Sequence, residues 1–444
     1  MANTTMNSPM NYVEVVDSNE ELTIQCATIK SLFELSSPTK RNDVENVQFS
    51  TDNCLFEDKL RRYRGTIIDN KTKNIVQEGS FFPYEFTHTE QEECVTKMAN
   101  LKHDFKDMNI EYSYEGTIIR IFYHKKWYIS THRKLDSGRS KWGSNNSFKF
   151  LFEEGLKESY NLSLKDLFAK LNLRCQYTFM IMADKNTRFV CTPNFDKKVY
   201  FVGSNDSACN IKIDALPKPS EKFETLKEVF EFVEKMRYPF TYQGLLLVHS
   251  QGSQYRIISD EYATYFKVRN NEQSIPYRYL QLKHQNDQVS IELLKKLFPD
   301  YISTFELNEQ YIVKLVDVLM SEYNKRKQRS LLPNDLTTVQ QIDQKLYLFI
   351  KTKLLVLPNV TTDKILELLW LEEPSNINQM IRMMKFNELK EKKEEQKLII
   401  NMEKIDLNTT PNNPIPTTST VAPKKKKTKF TKVPIEFTCR KKLF

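Results

Sequence analysis

The sequence predicts an α+β domain over residues 46–280, an all-helical domain over 281–404 and a disordered basic tail over 405–444, preceded by an extension at 1–45. Three observations carry that reading. Short β-branched runs recur as far as Ile258, separated by single helical stretches. From about Val289 the apolar spacing becomes helical, with Pro299, Pro333, Pro358 and Pro374 marking boundaries. Residues 405–444 then hold five prolines, many threonines and the run Lys424, Lys425, Lys426 and Lys427, a composition that does not build a core.

In chain order, residues 1–20 are polar and expected to be flexible, and Glu21 to Leu35 reads equally as a strand or a short helix. A polar stretch extends from there to Asn53. The basic cluster Phe56 to Gly65 then runs into a strand at Thr66–Asp69, with a second at Ile75–Ser80. Glu90 to Lys106 looks helical. Thr117–Tyr123 is an apolar run that reads as a buried strand, paired through a turn at His124–Lys126 with Trp127–Thr131. A helical stretch is expected around Leu164–Leu171, and strands at Tyr177–Met182, Arg188–Cys191 and Val199–Val202. Glu221–Met236 carries Phe223, Leu226, Val229, Phe230 and Val233 at helical spacing. Strands are expected at Tyr242–Val248 and Gln254–Ser259, then helices at Leu293–Phe298, Tyr311–Tyr323, Val339–Val356, Thr362–Leu371 and Ser375–Lys397.

Composition narrows the function classes. The 444-residue chain has 40% hydrophobic and 12% aromatic residues, which indicates a globular protein. It has only nine glycines and no GxxxxGK[ST] or GxGxxG, which argues against a glycine-rich phosphate loop. Its seven cysteines are scattered, with no CxxC pair, and none of its six histidines stands at metal-ligand spacing from Cys, Asp or Glu. Reduced thiols in an intracellular, non-membrane protein are the expectation. The formal charge is +9, and residues 401–444 supply ten Lys or Arg against three acids.

Within the folded part, positive charge concentrates on the hairpin at 117–131 and on the polar segment immediately C-terminal to it. From Arg120 to Lys141 there are seven Lys or Arg and one acid, Asp136, interleaved with Phe122, Tyr123, Trp127 and Tyr128 and bordered by Trp142. Cations with flat side chains suit a phosphate-bearing ligand whose bases stack. A solvated hairpin with core aromatics is the plainer alternative, as ion-paired surface positions are for the arginines.

The order of short signatures resembles the phage-type RNA ligase 1 family, a branch of the covalent nucleotidyltransferases. Arg64-Gly65-Thr66-Ile67-Ile68-Asp69 is followed by Phe81-Phe82-Pro83-Tyr84-Glu85-Phe86, then Glu115-Gly116-Thr117-Ile118 and Tyr177-Thr178-Phe179-Met180-Ile181. Asn186-Thr187-Arg188-Phe189-Val190, Gln243-Gly244-Leu245-Leu246-Leu247 and Gly252–Tyr262 close the series. The hairpin wording is similar to RNA-ligase-like proteins of large nucleocytoplasmic DNA viruses. The resemblance implies a ligase-type nucleotidyltransferase fold with mixed and antiparallel sheets, leading into an all-α domain.

In that family a lysine of a KxDG motif attacks the α-phosphate of ATP, carboxylates hold metal and ribose, and two lysines neutralise phosphate. Here the lysine falls on Ser113, the aspartate on Glu115, the two carboxylates on Met180 and Gln243, and the lysines on Arg256 and Ile258. The resemblance therefore implies a scaffold without the chemistry. No cofactor is expected, with ATP and Mg²⁺ entering only if ligase activity survives, and no metal site. Retained RNA or nucleotide contacts are expected from Arg64, Glu115, Gly116, Arg120, Tyr128 (or Trp127), His132, Arg133, Lys134, Lys141, Arg188, Gln243 and Arg256, and from the tail lysines. The implied partners are RNA or DNA and other viral transcription or RNA-processing proteins, with no membrane. The implied location is the host cytoplasm, in a viral factory or virion, or the nucleus if the tail is an address. An active ligase using a displaced lysine (Lys106, Lys125 or Lys134) and a nucleic-acid-packaging protein are the alternatives.

Overall fold

The computed structural model describes residues 13–27, 51–185, 187–192, 194–205, 211–329 and 344–406. The stretch 28–50 and the tail with Lys424, Lys425, Lys426 and Lys427 lie outside them. Among the described residues, twelve strands make three four-stranded sheets.

The first sheet runs β1 (Val13–Ser18), β2 (Leu22–Ala27), β3 (Arg64–Asp69) and β4 (Ile75–Gln77), antiparallel throughout. Leu22, Ile24 and Cys26 alternate inward on β2, so the described part of the stretch that read as either strand or helix is a strand, and its remainder lies outside the described residues. Part of the segment expected to be flexible pairs along its edge as β1. Helix α1 (Thr51–Arg61) leads into β3.

The second sheet has the order β10-β9-β7-β8, from β7 (Gly116–His124), β8 (Lys126–Ser130), β9 (Tyr177–Met182) and β10 (Val199–Ser204). Ile119, Ile121, Phe179 and Val199 pack under Phe152 and Leu156 of α3 (Phe148–Tyr160) and Leu167 of α4 (Leu164–Phe168). On the other face, Phe122 and Tyr128 pack with Leu22, Ile24 and Ile67 of the first sheet. Both faces of β7 are covered, which is why its apolar run does not alternate.

The third sheet is mixed, with the order β5-β12-β11-β6, from β5 (Tyr84–Thr87), β6 (Met108–Ser113), β11 (Gly244–His249) and β12 (Gln254–Ile258). Its β5–β12 pair is parallel and the other pairs antiparallel. Its core joins Leu245, Leu247, Tyr255 and Ile257 to Cys94 and Met98 of α2 (Gln91–Leu101) and to Val229, Phe230 and Val233 of α5 (Leu226–Glu234).

The helical region starts at Asp260, earlier than the change of spacing at Val289 suggested. It comprises α6 (Asp260–Arg269), α7 (Ile275–His284), α8 (Gln288–Leu297), α9 (Ile302–Arg329), α10 (Gln344–Phe349), α11 (Thr362–Leu369) and α12 (Pro374–Asp406). The hydroxyls of Ser259 and Ser274 cap α6 and α7 by accepting from the amides of Tyr262 and Tyr277. A π-helical turn, Ile350–Leu354, succeeds α10, and the first part of the helix expected over Val339–Val356 lies outside the described residues.

Three expectations are corrected. Met108–Ser113 and Phe148–Tyr160 are a strand and a helix where none was anticipated, and Arg188–Cys191 is not a strand. Among the described residues, those up to Ile381 form one compact unit and those from Arg382 on another. In the second unit, Leu389 to Lys397 are all exposed along α12. Among the described residues no helix is long and apolar enough to cross a membrane.

Candidate nucleic-acid interface

The cationic segment after β8 is held in a fixed shape by its own polar groups. The Thr131 hydroxyl accepts from the amides of Arg133 (3.2 Å) and Lys134 (3.0 Å), and the Thr131 amide donates to the Lys134 carbonyl (2.9 Å). Asp17 of β1 accepts from the Leu135 amide at 2.9 Å and attracts Lys134 at 3.5 Å and Arg139 at 3.9 Å. Asp136 accepts from the Gly138 amide at 2.9 Å. Upstream, Gly65 has φ +83°, and a β-carbon there would lie 2.7 Å from the His132 Cα. Only glycine lets β3 pass this close to the segment.

These residues wall a cleft of about 1350 Å³. It is lined by eight Lys or Arg and four acids, together with Tyr63, Phe82, Trp142, Phe148, Phe189 and Phe195. Ion pairing uses only part of that charge. Arg61 is bound to Glu57 at 2.6 Å and Lys198 to Glu158 at 2.5 Å. Arg133 lies 3.9 Å from Glu14, and among the described residues Arg139 has only its 3.9 Å ion pair with Asp17. Arg64 lies over the Phe82 ring at 5.3 Å, and neither it nor Lys141 has a carboxylate partner among the described residues. Burial, with Arg256 nearby, lowers the Arg64 guanidinium to about 10, so it remains charged at neutral pH. Burial, then Arg64, Arg120 and Arg133, push the His132 imidazole down to about 3. It is neutral at physiological pH and adds no positive charge.

Of the residues singled out in the sequence, Arg64, Gly116, His132, Arg133, Lys134 and Lys141 line this cleft together. The others lie elsewhere. Arg120 is buried and donates to the carbonyls of Gly65, Glu78 and Thr131, joining β7 to β3. Arg188 donates to the carbonyls of Val190 and Leu297 and stacks on Phe298 at 4.6 Å. Arg256 pairs with Glu85 at 3.1 Å. Tyr128 stacks on Phe122 at 5.2 Å and Trp127 on Phe168 at 5.1 Å, so both rings are used within the fold.

Glu115 is 3% exposed, and its carboxylate faces the main chain. It accepts from the amides of Phe189 (2.7 Å), Val190 (2.8 Å) and Cys191 (3.0 Å) and from the Tyr262 hydroxyl (3.0 Å). Those amides have no strand partner because a carboxylate has taken them. Phe189 is thereby fixed in the cleft wall.

Ser113 is buried, and its hydroxyl donates to the Gln243 side-chain carbonyl at 3.0 Å. Gly116 packs against Met180, whose Cγ would sit 2.7 Å from a β-carbon there. A hydroxyl, an amide and a thioether supply neither an amine nucleophile nor hard oxygen ligands for Mg²⁺. These residues do not fit an ATP–Mg²⁺ pair. Among the described residues no three His, Cys, Asp or Glu stand together as a metal site. Of the possible displaced lysines, Lys134 lines the cleft, Lys125 is bound to Glu21 at 2.7 Å, and Lys106 lies exposed in a turn.

The residues passed over as sites are Phe189, Phe195, Lys197 and Lys198. Phe189 falls inside the region read as a strand and Phe195, Lys197 and Lys198 after it, so they carried only the weak signal of composition.

No protein-family model matches the chain. It is 54% identical over 441 residues to the immediate-early protein ICP-46 homolog of Invertebrate iridescent virus 3, spanning 99% of each. It is 30% identical over 291 residues to the ICP-46 homolog of Invertebrate iridescent virus 6, covering 59% of this chain and 63% of that one. Immediate-early protein ICP-46 of Frog virus 3 is 26% identical over 227 residues, 44% of this chain and 55% of its own.

Proposed function

We propose that this chain, which belongs to the immediate-early protein ICP-46 family of iridoviruses, is a catalytically silent relative of the RNA-ligase-like nucleotidyltransferases that binds RNA. The observation that carries the reading is the cleft, where Arg64, Arg133, Arg139 and Lys141 stand beside aromatic rings with weak or no carboxylate partners among the described residues. Unpaired cations attract a polyanion, and rings accept bases. The bond between Ser113 and Gln243, two of the positions where the ligase family has its lysine and a carboxylate, supports descent from that scaffold. On this reading the protein serves a viral RNA-processing or transcription assembly in the host cytoplasm, a role that suits relatives named immediate-early proteins.

Two assays test it. Fluorescence anisotropy with a labelled RNA oligonucleotide should show binding whose logarithm falls linearly with the logarithm of salt. Absence of binding at low salt contradicts the proposal. Incubation with radiolabelled ATP and Mg²⁺ should give no acid-stable adduct, and Ser113→Lys alone should not create one. Met180 and Gln243 remain without carboxylates, and such groups act as a unit. A labelled band abolished by Lys134→Ala would instead establish an active ligase with a displaced lysine.

A further inference from the structure

We infer that Trp142 is a base-stacking platform, so that the cleft's ligand is a single-stranded polynucleotide with unpaired bases; this rests on the nucleic-acid reading above. Trp142 lines the cleft at the end of a ladder of rings. It stacks on Phe189 at 5.3 Å and 29°, Phe189 lies 5.5 Å from Phe266, and Phe266 lies 6.1 Å from Tyr262. The far end is tied down, because the Tyr262 hydroxyl and the Phe189 amide both donate to Glu115. A platform held in this way loses little conformational freedom when a base lands on it.

Among the described residues Trp142 pairs with Phe189 alone and is half-buried, whereas Tyr128 is buried and Trp127 contacts both Tyr123 and Phe168. The indole N–H of Trp142 is enclosed, with no hydrogen-bond partner among the described residues, while part of the side chain stays open to the cleft. Lys141 precedes Trp142 in the chain, exposed and without an acid partner among the described residues, where a phosphate next to a stacked base would lie. Asn271 and Gln273 line the same cleft, and an amide side chain carries both donors and acceptors that suit a base edge. A duplex keeps its base faces stacked inside and cannot use such a platform.

The test uses the full chain and adenine 12-mers of RNA and of DNA, a 12-mer of abasic sugar-phosphate, and a blunt duplex. Both base-bearing single strands should quench the tryptophan emission, with the quench lost in Trp142→Phe. The abasic strand should bind more weakly to the parent, and the duplex should compete poorly. Trp142→Ala should weaken binding of the adenine strands roughly five- to a hundredfold while leaving the abasic strand unchanged. If the parent holds abasic and adenine strands equally, the platform is refuted with no appeal to a variant, and the electrostatic reading survives. Should no polynucleotide bind at low salt, both fall together.

Discussion

Replacing Glu115 with alanine is expected to destabilise the protein by about 3–5 kcal/mol, the range for stripping the partner from a buried charged network. The carboxylate accepts four hydrogen bonds, from three successive amides and the Tyr262 hydroxyl, at a site 3% exposed. Each buried donor left unpaired costs about 1–3 kcal/mol. Glu115→Gln should be the milder change. Its carbonyl, placed at Oε1, keeps the bonds from Val190, Cys191 and Tyr262, but its amide then faces the Phe189 N–H, donor against donor. Urea unfolding should rank the parent as most stable, the glutamine variant next and the alanine variant last. A loss under about 1 kcal/mol for alanine would show that the 189–191 segment is held by something else.

The second large effect concerns function with little change in stability. Arg133 and Arg139 have side chains 62% and 65% exposed, each with one contact at 3.9 Å, and Lys141 is exposed. Neutralising each of the three to glutamine should shift folding stability by no more than about 0.5 kcal/mol. Counterion release contributes about 0.7 to the logarithmic salt slope for each phosphate contact on a single strand. Loss of three contacts should therefore flatten the slope by about 2 and weaken binding about a hundredfold at 0.1 M salt. An unchanged slope would remove these residues from the interface.

Much of the α+β architecture was legible because β7, β8 and β9 carry β-branched and aromatic runs of the right length, and α5 a clean apolar stripe. What escaped did so for local reasons. In β6, Asn109 and Glu111 give a weak strand signal, and it pairs with β11 alone. In α3, Gly155 interrupts the helical signal, yet it sits where a β-carbon would come 2.6 Å from Val199. Arg188–Cys191 has strand composition, but its amides turn to Glu115. The candidate site was half legible. His132 to Lys134 and Arg139 to Lys141 line the cleft, while Leu135 and Ser137 between them are buried and anchor the segment. The fates of Arg120 and Arg188 depended on carbonyls from distant parts of the chain, which no local pattern reveals.

The most direct measurement of the central claim is photo-crosslinking of an RNA oligonucleotide carrying 4-thiouridine, with the attached peptides identified by mass spectrometry. The cleft account predicts crosslinks within 131–142 and 187–198, reduced by the triple glutamine variant and by excess unlabelled single strand. Crosslinks confined to 405–444, undiminished in that variant, would contradict it and make the basic tail the sole contact with nucleic acid.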